Sequence, residues 1–240
     1  MLELRELQAP TLKELFIQEI EKMILSGKLK IGDKLPSERE LSEQMKVSRS
    51  VIAAGLVELK NKGFLITIPR SGTYVEDYRR EGRLDTLVSI INYNGGRFRK
   101  EDACSLVVLR SALKQLATES LFENLTEEKI QILEHMAKNI ATANTLQEQA
   151  KATMEFDHEL AFQSGNTILP LIFSSFSAPY KTLITEYYQI PGIHSFYVEL
   201  MQNYCLFVRS GDLEGAISSI KRGTKDAIEH IKKEAWPLLP

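Results

Sequence analysis

Residues 31–75 read IGDKLPSERELSEQMKVSRSVIAAGLVELKNKGFLITIPRSGTYV, and this stretch decides the fold. Ser37 and Glu40 form a capping-box pattern, in which each side chain bonds the backbone amide of the other residue. A helix is therefore predicted to begin at Glu38. A second N-cap residue, Ser48, predicts a further helix that ends at Gly63. Two helices joined by a turn of about three residues form a helix-turn-helix.

The end of the stretch predicts a β-hairpin, which would be the wing of a winged helix. Residues 64–69 (FLITIP) and 73–76 (TYVE) have the composition of strands, and residues 70–72 (RSG) lie between them as a basic tip. Upstream, apolar residues recur at spacings of three and four over residues 11–26, which predicts an amphipathic helix. Helix, helix-turn-helix and hairpin, in this order, make up a winged helix.

Basic residues stand where a winged helix turns toward DNA. Residues 28–80 carry 11 Lys and Arg against 7 Asp and Glu, whereas residues 81–240 carry 16 against 20. Arg39 and Arg49 are at the starts of the two helices of the helix-turn-helix, and Arg70 is at the hairpin tip. At these three positions, a winged helix contacts base edges and phosphates of DNA. The alternative, a small α+β domain with ordinary surface arginines, gives no reason for this placement.

The pattern PSERELSEQ, VSR, L..L...G and GTYV resembles the DNA-binding domain of the GntR family of bacterial repressors, and the resemblance extends over residues 10–76. It implies that Arg39 and Arg49 contact bases or phosphates and that the wing backbone approaches the minor groove at Gly72. Eight residues are predicted to form the DNA-binding face: Ser37, Arg39, Lys46, Ser48, Arg49, Ser50, Arg70 and Gly72.

One part of the recognition helix departs from the family. Where the family usually has an arginine and a glutamate, this chain has Ala53 and Ala54. The resemblance therefore implies a different operator or a lower intrinsic affinity. Gly55 follows them, and a glycine inside a helix is expected to cost about 1 kcal/mol against alanine.

Helical periodicity dominates the rest of the chain. Residues 1–78 are predicted to be the winged helix-turn-helix domain, residues 79–100 a linker with one short helix, and residues 101–240 an all-α bundle of about six or seven helices. The predicted fold class is thus mainly α. The predicted helices of the bundle cover residues 103–122, 126–143, 146–164, 168–188, 195–210 and 212–233, with Thr126 and Asp212 as N-caps.

Composition and motifs argue against catalysis, cofactors and membrane insertion. With 43% hydrophobic residues and 30 basic against 32 acidic side chains, the chain is globular rather than disordered. It has no GxSxG, Walker, GxGxxG or HExxH motif, and Cys104 and Cys205 form no disulfide framework or zinc site. No 18 apolar residues run together, and the N-terminus lacks the pattern of a signal peptide. We therefore expect a cytoplasmic protein.

The sequences SGN at 164–166 and SGD at 210–212 give the bundle a resemblance to the effector domain of the FadR subgroup of GntR regulators. Many members of that subgroup bind a divalent metal through an Asp, a following His and two later histidines. The corresponding residues here are Thr153, Asp157, Met201 and Gly223, and three of these four are not usual zinc ligands. The resemblance therefore implies that this chain holds no metal.

Other segments, such as FDHELAFQSGN at 156–166, are similar to the metal-free, fatty-acid-responsive members of the subgroup, whose bundle holds a long-chain acyl-CoA. This implies that Arg110 pairs with a phosphate, that Tyr187 donates a hydrogen bond in the pocket, and that Gly223 leaves room for the ligand. The residues predicted to bind ligand are Arg110, Asn166, Tyr180, Tyr187 and Gly223. The alternatives are that Arg110 is a surface arginine paired with Glu119 or Asp102, and that the tyrosines form an ordinary bundle face.

The sequence thus predicts a homodimeric transcription regulator whose affinity for double-stranded operator DNA depends on a small acidic metabolite, such as a long-chain acyl-CoA. Three alternatives stay open. One is a constitutive repressor without an effector, another is a metal-independent regulator that responds to an organic acid, and the third is a helical enzyme or carrier fused to a DNA-binding module.

Overall fold

The structure is a computed structural model that describes residues 9–233, so the predicted domains extend at both ends beyond the described residues. The chain forms two compact units, which divide between Tyr93 and Asn94. The elements of the first unit are α1 (Leu12–Leu25), α2 (Glu38–Met45), α3 (Arg49–Asn61), β1 (Leu65–Ile68), β2 (Gly72–Val75) and α4 (Leu84–Tyr93).

The predicted helix starts of the helix-turn-helix are confirmed. The amide of Glu40 donates to Ser37 Oγ at 3.3 Å, and the Ser37 amide donates to Glu40 Oε2 at 2.8 Å, which is the reciprocal pair of a capping box. Ser48 caps α3 through one hydrogen bond, which its Oγ accepts from the amide of Val51 at 3.3 Å. Between the helices, Lys46 takes a left-handed conformation (φ 54°) that ends α2 and turns the chain.

The wing is a two-stranded antiparallel hairpin, as predicted. Its register pairs Leu65 with Val75 and Ile68 with Gly72. The inward side chains Leu65 and Val75 join a core formed by α1, α2 and α3, where Phe16 and Leu59 are almost completely buried. This shared core supports both the recognition helix and the wing, so their geometry relative to each other is set by apolar packing.

Gly55 has a structural role inside α3 in addition to its expected cost. Gly55 is buried, and a Cβ placed on it would collide with the ring of Phe16 from α1. The absence of a side chain lets the two helices approach closely. The lower helix propensity of glycine is therefore offset by the packing of α1 on α3.

The variant Gly55→Ala is expected to lower the free energy of unfolding by about 1–3 kcal/mol, because the added methyl group overpacks the contact with Phe16. Chemical denaturation measures this change. Ala54→Ser is the matched control, since Ala54 is the exposed neighbour on the same helix and a surface substitution changes stability by less than about 0.5 kcal/mol. A Gly55→Ala variant as stable as the wild type would contradict the close approach.

Helix α4 packs against the other helices of the first unit. Ser89 Oγ donates to Glu21 Oε1 of α1 at 2.9 Å, and Lys62 Nζ lies 2.8 Å from the same carboxylate oxygen. Thr86 Oγ1 donates to the carbonyl of Lys62, the residue that caps the C-terminal end of α3. Thus α4, which the sequence places in a linker, is held against α1 and α3 by buried polar contacts. Two glycines of positive φ, Gly95 and Gly96, follow it.

The second unit is all-α, in agreement with the predicted bundle. Among the described residues, its helices are α5 (Lys100–Glu123), α6 (Glu127–Thr142), α7 (Leu146–Gln163), α8 (Leu169–Ser175), α9 (Ser177–Tyr187), α10 (Ile193–Arg209) and α11 (Leu213–Lys233). The predicted N-caps Thr126 and Asp212 are confirmed, since both accept a hydrogen bond from an amide three residues on. Within this part of the chain, no helix combines the length and hydrophobicity needed to cross a bilayer.

The extent predicted for one helix of the bundle was wrong. Residues 168–188 form two helices, α8 and α9, which are separated at Phe176. The reason is Pro179, which has no amide hydrogen and therefore suits the first turn of a new helix but not the interior of a long one. The break lets α8 and α9 pack as separate helices against α7.

Candidate functional site

The predicted DNA-binding residues all lie in the first unit, and seven of them are exposed. Gly72, the eighth, is half-buried at the start of β2. Ser37 and Ser48 have capping roles as well, because their hydroxyls hold the first turns of α2 and α3. Ser50 Oγ lies 2.9 Å from Ser48 Oγ, so these two hydroxyls form one polar group at the start of α3.

The start of α3 is the more electropositive of the two helix starts. Its first turn contains no acidic residue, whereas the first turn of α2 contains Glu38 and Glu40. Unneutralised amides and the helix dipole favour an anion there. Among the described residues, no carboxylate lies within ion-pair distance of Arg49, while Arg39 Nε donates to Glu43 Oε1 at 2.9 Å. Arg49 is thus available for an external anion.

Arg70 is held at the tip of the wing in an unusual backbone conformation. Its φ is 62°, a left-handed value that side-chain-bearing residues seldom adopt. Pro69 precedes it, and the amide of Ser71 donates to the carbonyl of Ile68 at 3.0 Å, so the four residues form a tight turn. A glycine would suit this position better for conformational reasons. An exposed arginine thus stands at a position whose backbone conformation favours glycine.

The variant Arg70→Gly is expected to separate folding from DNA binding. Removing a positive-φ side chain should raise the free energy of unfolding by about 1 kcal/mol, whereas losing a phosphate contact should weaken binding to all DNA sequences alike. The slope of log affinity against log salt is expected to fall by about one per subunit. Titrations of duplex DNA at several salt concentrations measure it, with Arg70→Lys as the charge-preserving control. An unchanged slope would mean that Arg70 points into solvent.

One basic residue beside the wing was missed by the sequence interpretation. Lys34 forms an isolated antiparallel bridge with Tyr74 of β2, and its ammonium lies 5.9 Å from the centre of the Tyr74 ring. A Cβ on Gly72 would stand 2.7 Å from Lys34 Cε. The sequence signal was available, because Lys34 precedes the extended Leu35-Pro36, but only the fold shows that this segment joins the hairpin.

In the second unit, the central feature is a buried group of three charged residues. Arg110 Nη2 of α5 donates to Asp157 Oδ2 of α7 at 2.8 Å, and Lys114 Nζ lies 2.8 Å from Asp157 Oδ1. The three side chains are at most 10% exposed. We call Arg110, Lys114 and Asp157 the charge cluster. Arg110 is therefore not the surface arginine of the alternative interpretation.

The two cations determine the charge state of Asp157. Burial by itself would raise the pKa of Asp157, but the charges of Lys114 and Arg110 outweigh burial and hold the pKa below its usual value. Burial by itself would lower the pKa of the Arg110 guanidinium. The neighbouring Tyr180 and Asp157 outweigh burial, so the pKa is raised. Asp157 and Arg110 thus form an ion pair at neutral pH.

Aromatic rings complete the surroundings of Arg110. The guanidinium carbon lies 3.4 Å from the ring centre of Tyr180 and 4.6 Å from that of Phe173, which are cation–π contacts. Lys114 Nζ donates to Tyr197 Oη at 3.2 Å. The predicted residue Tyr180 therefore does lie at the site, with its ring against Arg110.

Arg110 and Tyr180 line two spaces. The inner cavity has a volume of about 80 Å³ and lies between α5, α9, α10 and α11, with mostly apolar walls. The outer groove has a volume of about 750 Å³ and is lined mainly by α6, α7, α8 and α9. Because Arg110 and Tyr180 belong to both linings, they form the partition between the outer groove and the inner cavity.

The other predicted ligand residues are placed as follows. Tyr187 lines the inner cavity, but its hydroxyl donates to Asp226 Oδ2 at 2.8 Å, and burial with this contact raises the pKa of Tyr187. Gly223 also lines the inner cavity. A Cβ on Gly223 would collide with Leu200, so the space beside this glycine is occupied by a side chain of the protein. Asn166 lines neither space, and its Oδ1 accepts from two amides at the start of α8.

The residues at the metal positions of the subgroup do not fit a metal. Thr153 Oγ1 is 2.6 Å from Tyr188 Oη, and Asp157 is already bound to two cations. Met201 and Gly223 line the inner cavity without offering an oxygen or nitrogen ligand from a side chain. Within residues 9–233, no group of three or more His, Cys, Asp or Glu side chains could hold a metal ion.

Each of the two units matches a known protein family. Residues 12–75 match the model of the gntR family of bacterial regulatory proteins, and residues 81–233 match the FadR C-terminal domain. The fatty acid metabolism regulator protein of Shewanella pealeana is 30% identical over 191 residues, which cover 76% of this chain and 77% of that protein. The transcriptional regulator Mce2R of Mycobacterium tuberculosis is 26% identical over 220 residues, with 88% and 86% covered.

A solved structure supports the fold alone. Lar, which controls the expression of the Listeria monocytogenes agr system, has a TM-score of 0.62 and covers 93% of this chain and 98% of its own, at 14% identity. The winged helix, the all-α second unit and the two family matches lead to one conclusion. The chain belongs to the GntR family of bacterial regulatory proteins, carries a FadR C-terminal domain, and is a DNA-binding transcriptional regulator.

Proposed function

We propose that the protein is a cytoplasmic homodimer whose affinity for a palindromic operator is controlled by a small acidic, partly apolar metabolite in the inner cavity. The observation that carries this proposal is the position of Arg110 and Lys114, two buried cations in the wall of an otherwise mainly apolar cavity. Such walls bury the apolar part of a ligand, while a few placed polar groups orient it.

The control of DNA binding follows from linkage. If the metabolite binds better to a conformation that fits the operator poorly, it weakens DNA binding by the same factor by which DNA weakens metabolite binding. Coupling free energies are typically about 1–3 kcal/mol, which correspond to about 5-fold to 150-fold in affinity. Effects of this size are measurable with an operator fragment.

The relatives favour a fatty-acid derivative as the metabolite. The protein of Shewanella pealeana bears the name fatty acid metabolism regulator protein. A long-chain acyl-CoA is therefore a candidate effector, with the acyl chain in the inner cavity and the head in the outer groove beside Arg110. The residues Arg110, Tyr180 and Tyr187 would then contact the ligand.

The proposal is tested by mass spectrometry of small molecules released from the purified, denatured protein. The operator is first selected from genomic fragments with the intact protein, and each released compound is then titrated into the protein–operator complex. We expect at least one acidic compound to change operator affinity by 5-fold or more. If no compound is released and no fatty acid or acyl-CoA alters binding, the protein is a constitutive repressor instead.

A further inference from the structure

We infer that the ligand of the inner cavity supplies one carboxylate to Arg110 and Lys114 and is a short aliphatic monocarboxylate rather than a coenzyme A thioester. The inference rests on the proposed function, because it specifies the chemical class of the same effector. It departs from the acyl-CoA expectation, and the reasons lie in the charges, the hydrogen-bond donors and the volume at the charge cluster.

The first reason is charge. Arg110 and Lys114 are 5% and 8% exposed, and the carboxylate that faces them both is Asp157, which is completely buried. Within the described part of the chain, the lining of the inner cavity contains these two cations and no carboxylate. The cluster therefore carries an excess of one positive charge. A buried excess charge is unfavourable unless it is paired, and one anionic ligand group would pair it.

The second reason is the set of unused donors. Arg110 Nε is buried and has no hydrogen-bond partner among residues 9–233. Lys114 Nζ and Asp157 Oδ1 form an ion pair at 2.8 Å without hydrogen-bond geometry, and within the described part of the chain this oxygen has no hydrogen-bond partner. The hydrogen bond that the structure shows for Lys114 Nζ is the one to Tyr197 Oη. A carboxylate has two oxygens that accept such bonds, so it satisfies donors that the protein leaves open.

The third reason is size. The inner cavity has a volume of about 80 Å³, against about 750 Å³ for the outer groove. The inner cavity fits a carboxylate with a short apolar chain. A long acyl chain would require several side chains of the bundle to move.

The outer groove also offers little to a polyphosphate head. Its lining contains Lys151 and Lys181, but Glu155 and Glu159 belong to the same lining. Lys151 Nζ lies 3.6 Å from Glu155 Oε1. A coenzyme A head carries several negative charges. In this groove it would meet carboxylates, which repel phosphate, as well as lysines.

Thermal unfolding of the full-length protein with defined probes tests the inference. Butyrate and hexanoate are the expected ligands, butyramide has the same shape without the charge, butyryl-CoA carries the head, and inorganic phosphate has charge without an apolar part. At about 100 times Kd, a ligand specific for the folded state raises Tm by roughly 5–10 °C for a chain of this size. We expect a saturable shift with butyrate or hexanoate and none with the other three probes.

A charge-removing variant provides the second measurement. Lys114→Gln keeps an amide donor for Tyr197 but removes the excess charge, so the preference for butyrate over butyramide is expected to fall at least tenfold. Glu155→Gln in the outer groove is the control and should keep the preference. An equal shift with phosphate or butyryl-CoA in the wild type, or an undiminished preference in Lys114→Gln, would overturn the inference.

The two proposals fail in different ways. If a coenzyme A thioester is released from the protein and changes operator affinity, while neither butyrate nor hexanoate shifts Tm, the proposed function stands and the monocarboxylate inference is wrong. If butyrate or hexanoate shifts Tm as described but no ligand changes operator affinity, the cavity binds a monocarboxylate and the proposed control of DNA binding is wrong.

Discussion

The variant Asp157→Ala is expected to lower the free energy of unfolding by about 3–5 kcal/mol, which is a large part of the roughly 5–15 kcal/mol typical of a folded protein. The reason is that Arg110 and Lys114 would stay buried without the carboxylate that faces them both. Removing one partner of a buried ion pair costs far more than the pair contributes, because the remaining charge is desolvated and unpaired. Denaturant unfolding followed by circular dichroism measures the change.

The matched control lies on the same helix. Glu155 of α7 pairs with Lys151 at 3.6 Å, but both side chains are at least half exposed. Glu155→Ala is therefore expected to change stability by about 0–1 kcal/mol, as is usual for surface ion pairs. A second control combines Asp157→Leu with Arg110→Met and Lys114→Met, which removes every buried charge and should recover much of the lost stability. Equal effects of Asp157→Ala and Glu155→Ala would contradict the burial of the cluster.

The variant Arg49→Ala is expected to abolish specific operator binding while the protein stays folded. Arg49 is exposed at the first position of α3, and no carboxylate of the described residues competes for its guanidinium. A bidentate contact of an arginine to a base is worth about 1–3 kcal/mol of discrimination, and a dimer would lose two of them. Specific affinity should fall by at least 100-fold, to the level of nonspecific DNA, with Tm within about 1 °C of wild type.

Lys60→Ala provides the comparison for Arg49→Ala, since it removes a positive charge from the last turn of the same helix. It is expected to leave the ratio of specific to nonspecific affinity within about twofold, because a distant charge acts on all DNA sequences alike. Fluorescence anisotropy with operator and scrambled duplexes measures both ratios. Specific binding by Arg49→Ala within twofold of wild type would mean that α3 meets DNA in another orientation.

The sequence predicted local structure well because the signals for it are local. Ser37 and Ser48 each act within three residues, so the starts of α2 and α3 could be placed from the sequence. The break at Phe176 could also have been predicted, since Pro179 belongs in the first turn of a helix and not in the middle of one. The prediction of one continuous helix over residues 168–188 was wrong because the apolar periodicity continues across the break.

The charge cluster could not be predicted in the same way. Asp157 lies 47 residues from Arg110 in the sequence, and no spacing rule connects positions on two different helices. The sequence interpretation offered Glu119 and Asp102, which lie on the same helix but further from Arg110 than the three or four residues at which helix side chains meet. In the structure, Asp102 instead contacts Arg99 at 2.7 Å. The bundle topology decides which carboxylate meets Arg110, and topology is not encoded in local periodicity.

The contacts of α4 decide where the DNA-binding unit can be cut from the rest of the chain. A fragment that ends at residue 78 would lose Ser89 and Thr86, and with them the hydroxyl groups that bond Glu21 and the carbonyl of Lys62. Its amides at the ends of α1 and α3 should exchange with deuterium faster than those of a fragment that ends at Tyr93. The longer fragment is therefore the one to isolate for structural work with DNA.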